Sequence, residues 1–203
     1  MNLGTGVNKD LFLWFNHLAQ RTPWLHTAAY VYAQYGVVLF ALLLLIGLWT
    51  QRQASDQQLA RAGWAGLATL LAVAINQPIV HAVHEPRPYA TLSHILVLAS
   101  RSTDPSFPSD HATMAGAATV GLLLVNRKLG SVTLVAALLI CLGRVYIAAH
   151  YPLDVAAGLV LGGLVAGLGW LALRRALVAL VRLLRRSRRV DRAFGRSTAS
   201  PSR

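Results

Sequence analysis

A chain of 203 residues that is 55% hydrophobic and only 13% charged does not read as a soluble domain, because several of its apolar runs reach bilayer length, which takes about 20 residues. A net charge of +12 could suggest nucleic acid, but the basic residues sort by side of a membrane, and a nucleic-acid partner is set aside on that ground. Cys141 stands alone, so neither a disulfide framework nor a cysteine metal cluster is available.

In chain order, the opening MNLGTGVNKD lacks the basic start and apolar core of a cleavable signal. The next stretch, NKDLFLWFNHLA, sets Leu11, Leu13, Trp14, Phe15 and Leu18 beside Lys9 and Asp10, a pattern that predicts an amphipathic interfacial helix. Five spans follow, near residues 28–50, 60–80, 112–125, 131–149 and 155–173. The third is short and is expected to begin inside FPSDHA, residues 107–112. The fold class is therefore all-α, a polytopic membrane bundle of about five transmembrane helices plus the N-terminal amphipathic one. Residues 1–173 form the membrane domain, and residues 174–203 an Arg-rich tail lying on anionic lipid, its Ser/Thr/Pro-rich end disordered.

If the spans alternate, Arg52, Arg61, Arg127, Lys128 and the tail arginines share one side, and Lys9, Arg21, Arg87, Arg101 and Arg144 the other. By the positive-inside rule the first side, with the C-terminus, is cytoplasmic, so the loop carrying FPSDHA faces outward. The connections are short except for residues 85–107, rich in Pro, Ser, Thr and Asp. Such a loop between membrane helices is where a site is expected.

Three clusters of ionisable groups, costly near a bilayer, converge on that outward side. In His84-Glu85-Pro86-Arg87-Pro88 the two prolines hold Arg87 on a stiff extended turn, suited to bidentate capture of phosphate. Alone, Arg87 would read as an ordinary loop arginine. In Pro108-Ser109-Asp110-His111 the start of a helix, with its free N–H groups and the Ser109 hydroxyl, makes an anion site beside His111, a candidate proton donor. Helix capping accounts for Ser109 and Asp110 equally well. Asp110, repelled by a phosphate, is expected to point away or to pair with an arginine. In GRVYIAAHYPLD, Pro152 starts the last span and places Asp154 in its first turn, within reach of His150. A carboxylate on one ring nitrogen fixes the tautomer and leaves the other free to attack, while Arg144 binds the same phosphate as Arg87. Two arginines, a hydroxyl, a nucleophilic imidazole and an acidic one meet the needs of phosphoryl transfer. No cofactor is called for, and no metal is demanded, since no carboxylate cluster or helical His pair provides for one.

These motifs resemble the three-part signature of the type 2 phosphatidic acid phosphatase superfamily, integral-membrane lipid phosphatases with a helical core and a histidine nucleophile. The resemblance implies that His150 forms a phosphohistidine, Asp154 orients it, and His111 protonates the leaving oxygen and later helps to activate water. Arg87, Ser109 and Arg144 correspond to the phosphate binders, and the implied catalysis is metal-independent. Three positions depart from the pattern. Val80 stands where the family carries a lysine, with Gln77, His81 and His84 as possible stand-ins; Gly143 replaces a serine; Asp110 replaces the commoner glycine. The FPSDH form, the compact length and the N-terminal layout with WLHTAAYVYAQYG look most like the bacterial undecaprenyl-diphosphatase branch associated with bacitracin resistance. That branch implies an isoprenyl diphosphate as substrate, a place in the bacterial plasma membrane, and an outward site that recycles the lipid carrier for peptidoglycan. Another lipid phosphatase (for phosphatidate, phosphatidylglycerol phosphate or a prenyl-phosphate sugar) and a catalytically silent lipid-phosphate binder are the competing readings. No oligomeric state follows from the sequence.

Overall fold

Each apolar run forms a helix, and the breaks fall at proline, glycine or a polar cap. The computed structural model describes residues 6–186, and no strand occurs among them. Helix α1 spans Gly6–Arg21, and a short 3-10 turn at Pro23–Leu25 leads into α2, His26–Tyr35. Then follow α3, Val37–Thr50; α4, Asp56–Val83; the single turn α5, Pro88–Thr91; α6, Asp110–Val125; α7, Arg127–Tyr146; and α8, Pro152–Arg185. The starts are chemically marked. Ser55 and Gln58 form a reciprocal capping box for α4, the Asn126 side chain accepts from the Leu129 amide at the head of α7, and Pro152 occupies the first turn of α8.

Three of these helices, α4, α7 and α8, are each long and apolar enough to cross a membrane, and α2 and α3, with the turn before them, meet that measure together as a bent pair. The 16-residue α6 is a shorter apolar helix at the centre. The protein is thus a multi-pass helical bundle, in line with about five spans. One expectation is corrected: the first span, read as continuous over residues 28–50, is bent by 51° between α2 and α3. The bend falls at Gly36, where a Cβ would stand 2.4 Å from the Tyr32 carbonyl oxygen and 3.2 Å from Ile140 Cδ1 of α7. A side chain there would collide with the backbone of the preceding turn.

Packing follows membrane rules, with small residues inside and leucines outside. The buried face of α6 includes Ala112, Ala115, Gly116, Ala117, Ala118 and Gly121, with Leu122 its one buried leucine, whereas Leu134, Leu138, Leu139 and Leu142 of α7 and Leu164, Leu168 and Leu171 of α8 are exposed. A Cβ on Gly162 of α8 would lie 1.9 Å from the Thr113 carbonyl oxygen, and one on Gly116 of α6 2.1 Å from that of Leu159. The α6 and α8 backbones therefore touch. Trp64 of α4 is buried against the same pair and donates its indole N–H to the Ala166 carbonyl at 2.8 Å.

Helix α1 packs across one end of the bundle. Its Phe12 is buried among Ala112, Val145 and Tyr151, and the Asn16 side chain exchanges two hydrogen bonds with the Leu96 backbone, at 2.7 and 3.0 Å, which fixes part of the long loop. At the other end, residues 174–185, read as the beginning of the tail, continue α8. Arg185 is buried there and donates to the Ala54 and Arg52 carbonyls at 2.7 and 2.9 Å and to Asp56 at 3.1 Å, stapling α8 to the loop between α3 and α4. The disordered end expected for the tail lies outside the described residues. The alternation of α4, α6, α7 and α8 brings the end of α4, the head of α6, the end of α7 and the head of α8 together.

Candidate active site

Where those four helix ends meet, a cavity of about 310 Å³ is lined by Gln77, Val80, His81, Arg87, Asp104, Asp110, His111, Arg144 and His150, together with prolines. The three sequence clusters thus share one pocket. Arg87 has extended backbone angles, φ −71° and ψ 156°, as its two prolines require. Its guanidinium donates from Nε to the Asp104 carbonyl at 2.8 Å and from Nη1 to the Ala149 carbonyl at 3.2 Å, so its orientation is set by backbone.

Arg144, in the last turn of α7, is buried, with Nη1 3.4 Å from the Ala33 carbonyl. That acceptor belongs to the last turn of α2, whose carbonyls have no full set of intrahelical partners because the helix stops at the Gly36 bend. The bend therefore supplies a group that meets Arg144.

His150 is buried in the loop between α7 and α8, and its contacts define its tautomer. Nδ1 lies 2.9 Å from the Ser106 carbonyl oxygen, which can only accept, so Nδ1 carries the proton. Nε2 lies 3.1 Å from Nη2 of Arg144, which can only donate, so Nε2 presents its lone pair. Burial, with the positive charges of Arg144 and Arg87, holds the imidazole well below its ordinary value of 6.5, against the opposing pull of the Ser106 carbonyl. The folded protein keeps His150 neutral where an unfolded chain would protonate it, so stability falls as pH drops below 6.5. Nitrogen NMR of the ligand-free protein just below that pH is expected to show a neutral, Nδ1-protonated His150; a doubly protonated ring would contradict the assignment.

Asp154 is fully buried in the first turn of α8, as its spacing from Pro152 predicts. Its Oδ2 accepts from the Tyr151 amide at 2.8 Å and from the Ser106 hydroxyl, and stands 3.6 Å from His150 Nδ1. The acceptor closest to the imidazole is thus the Ser106 carbonyl rather than the carboxylate. Ser109 is buried, caps nothing with its side chain, and its Oγ has no protein partner, while its amide donates to the Asp154 carbonyl at 3.1 Å. Asp110 pairs with amides instead of an arginine: its Oδ1 accepts from Asn76 at 2.7 Å and from Gln77 at 2.9 Å. Of the three stand-ins for the missing lysine, Gln77 and His81 line the pocket beside Val80, whereas His84, in a left-handed conformation at the end of α4, lines a neighbouring cleft with Glu85 and Tyr89.

The sequence reading passed over Ser106, Asn76 and the Ala33 carbonyl. Ser106 sits three residues before Ser109, within the same SFPSDH run, so proximity was its only signal. Asn76 lies within α4, and its burial shows only in the folded structure, so the sequence carried no signal for it.

Two guanidinium groups, a neutral imidazole whose Nε2 lone pair is directed at one of them, and a second imidazole at a helix head are the equipment that phosphoryl transfer uses, here set at one end of a membrane bundle. The family follows from comparison: the chain belongs to the PAP2 superfamily, whose profile matches residues 61–177, and it is a hydrolase. Among similar proteins is the undecaprenyl-diphosphatase BcrC of Bacillus subtilis (strain 168), 33% identical over 156 residues, 76% of this chain and 78% of that one. The putative undecaprenyl-diphosphatase YbjG of Escherichia coli (strain K12) is 29% identical over 80% of this chain and 78% of its own. The crystal structure of Aquifex aeolicus LpxE shares the fold with a TM-score of 0.59 at 22% identity, covering 82% of this chain and 96% of that one.

Proposed function

We propose that this protein removes the terminal phosphate of undecaprenyl diphosphate through a phosphohistidine on His150, at the outer face of the bacterial plasma membrane. The observation that carries the reading is that His150, whose Nε2 lone pair meets the Arg144 guanidinium, lines the same cavity as Arg87, Arg144 and His111. The names of the relatives support the choice of lipid, and the charge bias supports the orientation: Arg52, Arg61, Arg127 and Lys128 belong to the end of the bundle opposite the pocket.

In this mechanism Arg87 and Arg144 neutralise the terminal phosphoryl oxygens, and the Ser109 hydroxyl supplies a further donor. Nε2 attacks phosphorus, the bond to the bridging oxygen breaks, and its electron pair leaves with undecaprenyl phosphate, His111 giving a proton where the leaving oxygen needs one. Water then attacks the phosphohistidine, His111 takes its proton, and the P–N electron pair returns to Nε2 with release of inorganic phosphate. The two amides on Asp110 temper the repulsion between that carboxylate and the substrate.

The test is phosphate release by the detergent-purified protein in EDTA, with undecaprenyl diphosphate and phosphatidate offered in parallel. Preference for the diphosphate is expected. Preference for phosphatidate would keep the chemistry and move the function to glycerolipids. No release from either would favour a silent phosphate binder, the reading that Val80 in place of lysine admits.

A further inference from the structure

We propose that Ser106 is a positioning residue whose hydroxyl transmits the charge of Asp154 to the Nδ1–H of His150. The inference deepens the reading above and rests on His150 being the nucleophile. Its ground is that Asp154 does not reach the imidazole itself: Oδ2 is 3.6 Å from Nδ1, while the Ser106 hydroxyl touches both groups, hydrogen-bonded to Oδ2 and 3.3 Å from Nδ1.

The direction of the chain of bonds follows from what each atom can do. The Asp154 oxygen accepts, so the hydroxyl proton is spent on it and the Oγ lone pairs are left for Nδ1–H. Nδ1–H is then shared between the Ser106 carbonyl at 2.9 Å and the Ser106 Oγ at 3.3 Å, two acceptors from one residue. Ser106 is held for the task. It is fully buried and donates its amide to the Glu85 carbonyl at 2.7 Å, which ties it to the segment that carries Arg87. Asp154 is likewise anchored by the Tyr151 amide.

In the resting protein the imidazole is neutral and the arrangement only orients it. As the P–N bond forms, the ring becomes cationic and Nδ1–H more acidic, and a hydroxyl polarised by a carboxylate is a better acceptor than a hydroxyl alone. The gain belongs to the transition state, so it appears in kcat and not in substrate binding. The tautomer itself is set by the Ser106 carbonyl, which every side chain at this position retains.

The experiment is a double-mutant cycle of Ser106→Ala and Asp154→Asn in the full-length protein, with undecaprenyl diphosphate as substrate, measuring kcat, KM and thermal midpoint, and His150→Ala alongside. Ser106→Ala is expected to lower kcat about 10- to 100-fold, the scale of a charge-assisted hydrogen bond, with KM within about twofold. In the Asp154→Asn background the same change should cost less than about threefold, because the charge it conducts is already gone. Equal losses in both backgrounds, a kcat within about threefold of wild type, or a rise in KM with a fallen thermal midpoint at unchanged kcat would each overturn the proposal. If the alanine variant does not fold, Ser106→Cys, close in size but a weak donor, replaces it, and undiminished kcat there would be equally fatal. Turnover by His150→Ala would instead remove the nucleophile assignment on which this rests.

Discussion

Phosphate release by the His150→Ala protein falls to the uncatalysed background, at least about a thousandfold below wild type, while the bundle stays assembled. The size of the loss reflects the role: no other described group combines a neutral nitrogen lone pair with a place between Arg144 and the cavity. The fold survives because the imidazole sits in a loop, while the helices around it are held by their own close-packed small residues. Truncation leaves the Ser106 carbonyl and Arg144 without that partner, so a destabilisation of about 1–3 kcal/mol accompanies the loss of activity. His111→Ala gives the informative contrast. A diphosphate expels a phosphate ester, which departs with little need of a proton, whereas phosphatidate expels an alkoxide, which needs one. The His111 variant should therefore retain more activity on the diphosphate than on phosphatidate. Release measured on both lipids, with circular dichroism as the check of folding, settles the two roles; activity retained by His150→Ala would end the nucleophile assignment.

Gly162→Ala is expected to be the most damaging glycine-to-alanine change among the described residues. Its Cβ would stand 1.9 Å from the Thr113 carbonyl oxygen and 2.7 Å from the Ala117 amide nitrogen, both backbone atoms of α6, so no side chain can turn away to relieve it. The helices must separate, at a cost of about 3 kcal/mol, a large part of a typical domain's stability. Separation also parts the head of α6, with His111, from the loop before α8, with His150, so turnover falls with the thermal midpoint. Gly63→Ala is the control. Nothing lies within 4 Å of the added methyl there, and it should leave the midpoint unchanged or slightly raised. Equal midpoints for the two variants would show that α6 and α8 are not in backbone contact.

What the sequence disclosed and what it hid divide along contact range. Asp154 could be placed in a first helical turn because Pro152 is two residues away, and Arg87 on an extended turn because its prolines flank it. Such constraints act within a few residues and can be read from a string. The partners of Asp110 lie 33 and 34 residues away on α4, and those of Arg185 more than 120 residues away. Nothing in hydropathy or spacing marks a mid-helix amide that turns inward, or a basic tail residue that closes a loop. The bend at Gly36 was hidden for another reason: a single glycine between two largely apolar stretches does not by itself mark a break in a span.

That bend also has a consequence in time. The carbonyl that meets Arg144 comes from residue 33, whereas the guanidinium is made about 110 residues later. His150 and the head of α8 follow later still. That carbonyl must wait for a residue not yet synthesised, and the pocket cannot close until α7 and the head of α8 have been made. Hydrolysis by this protein therefore reports that those late helices have docked against the early ones.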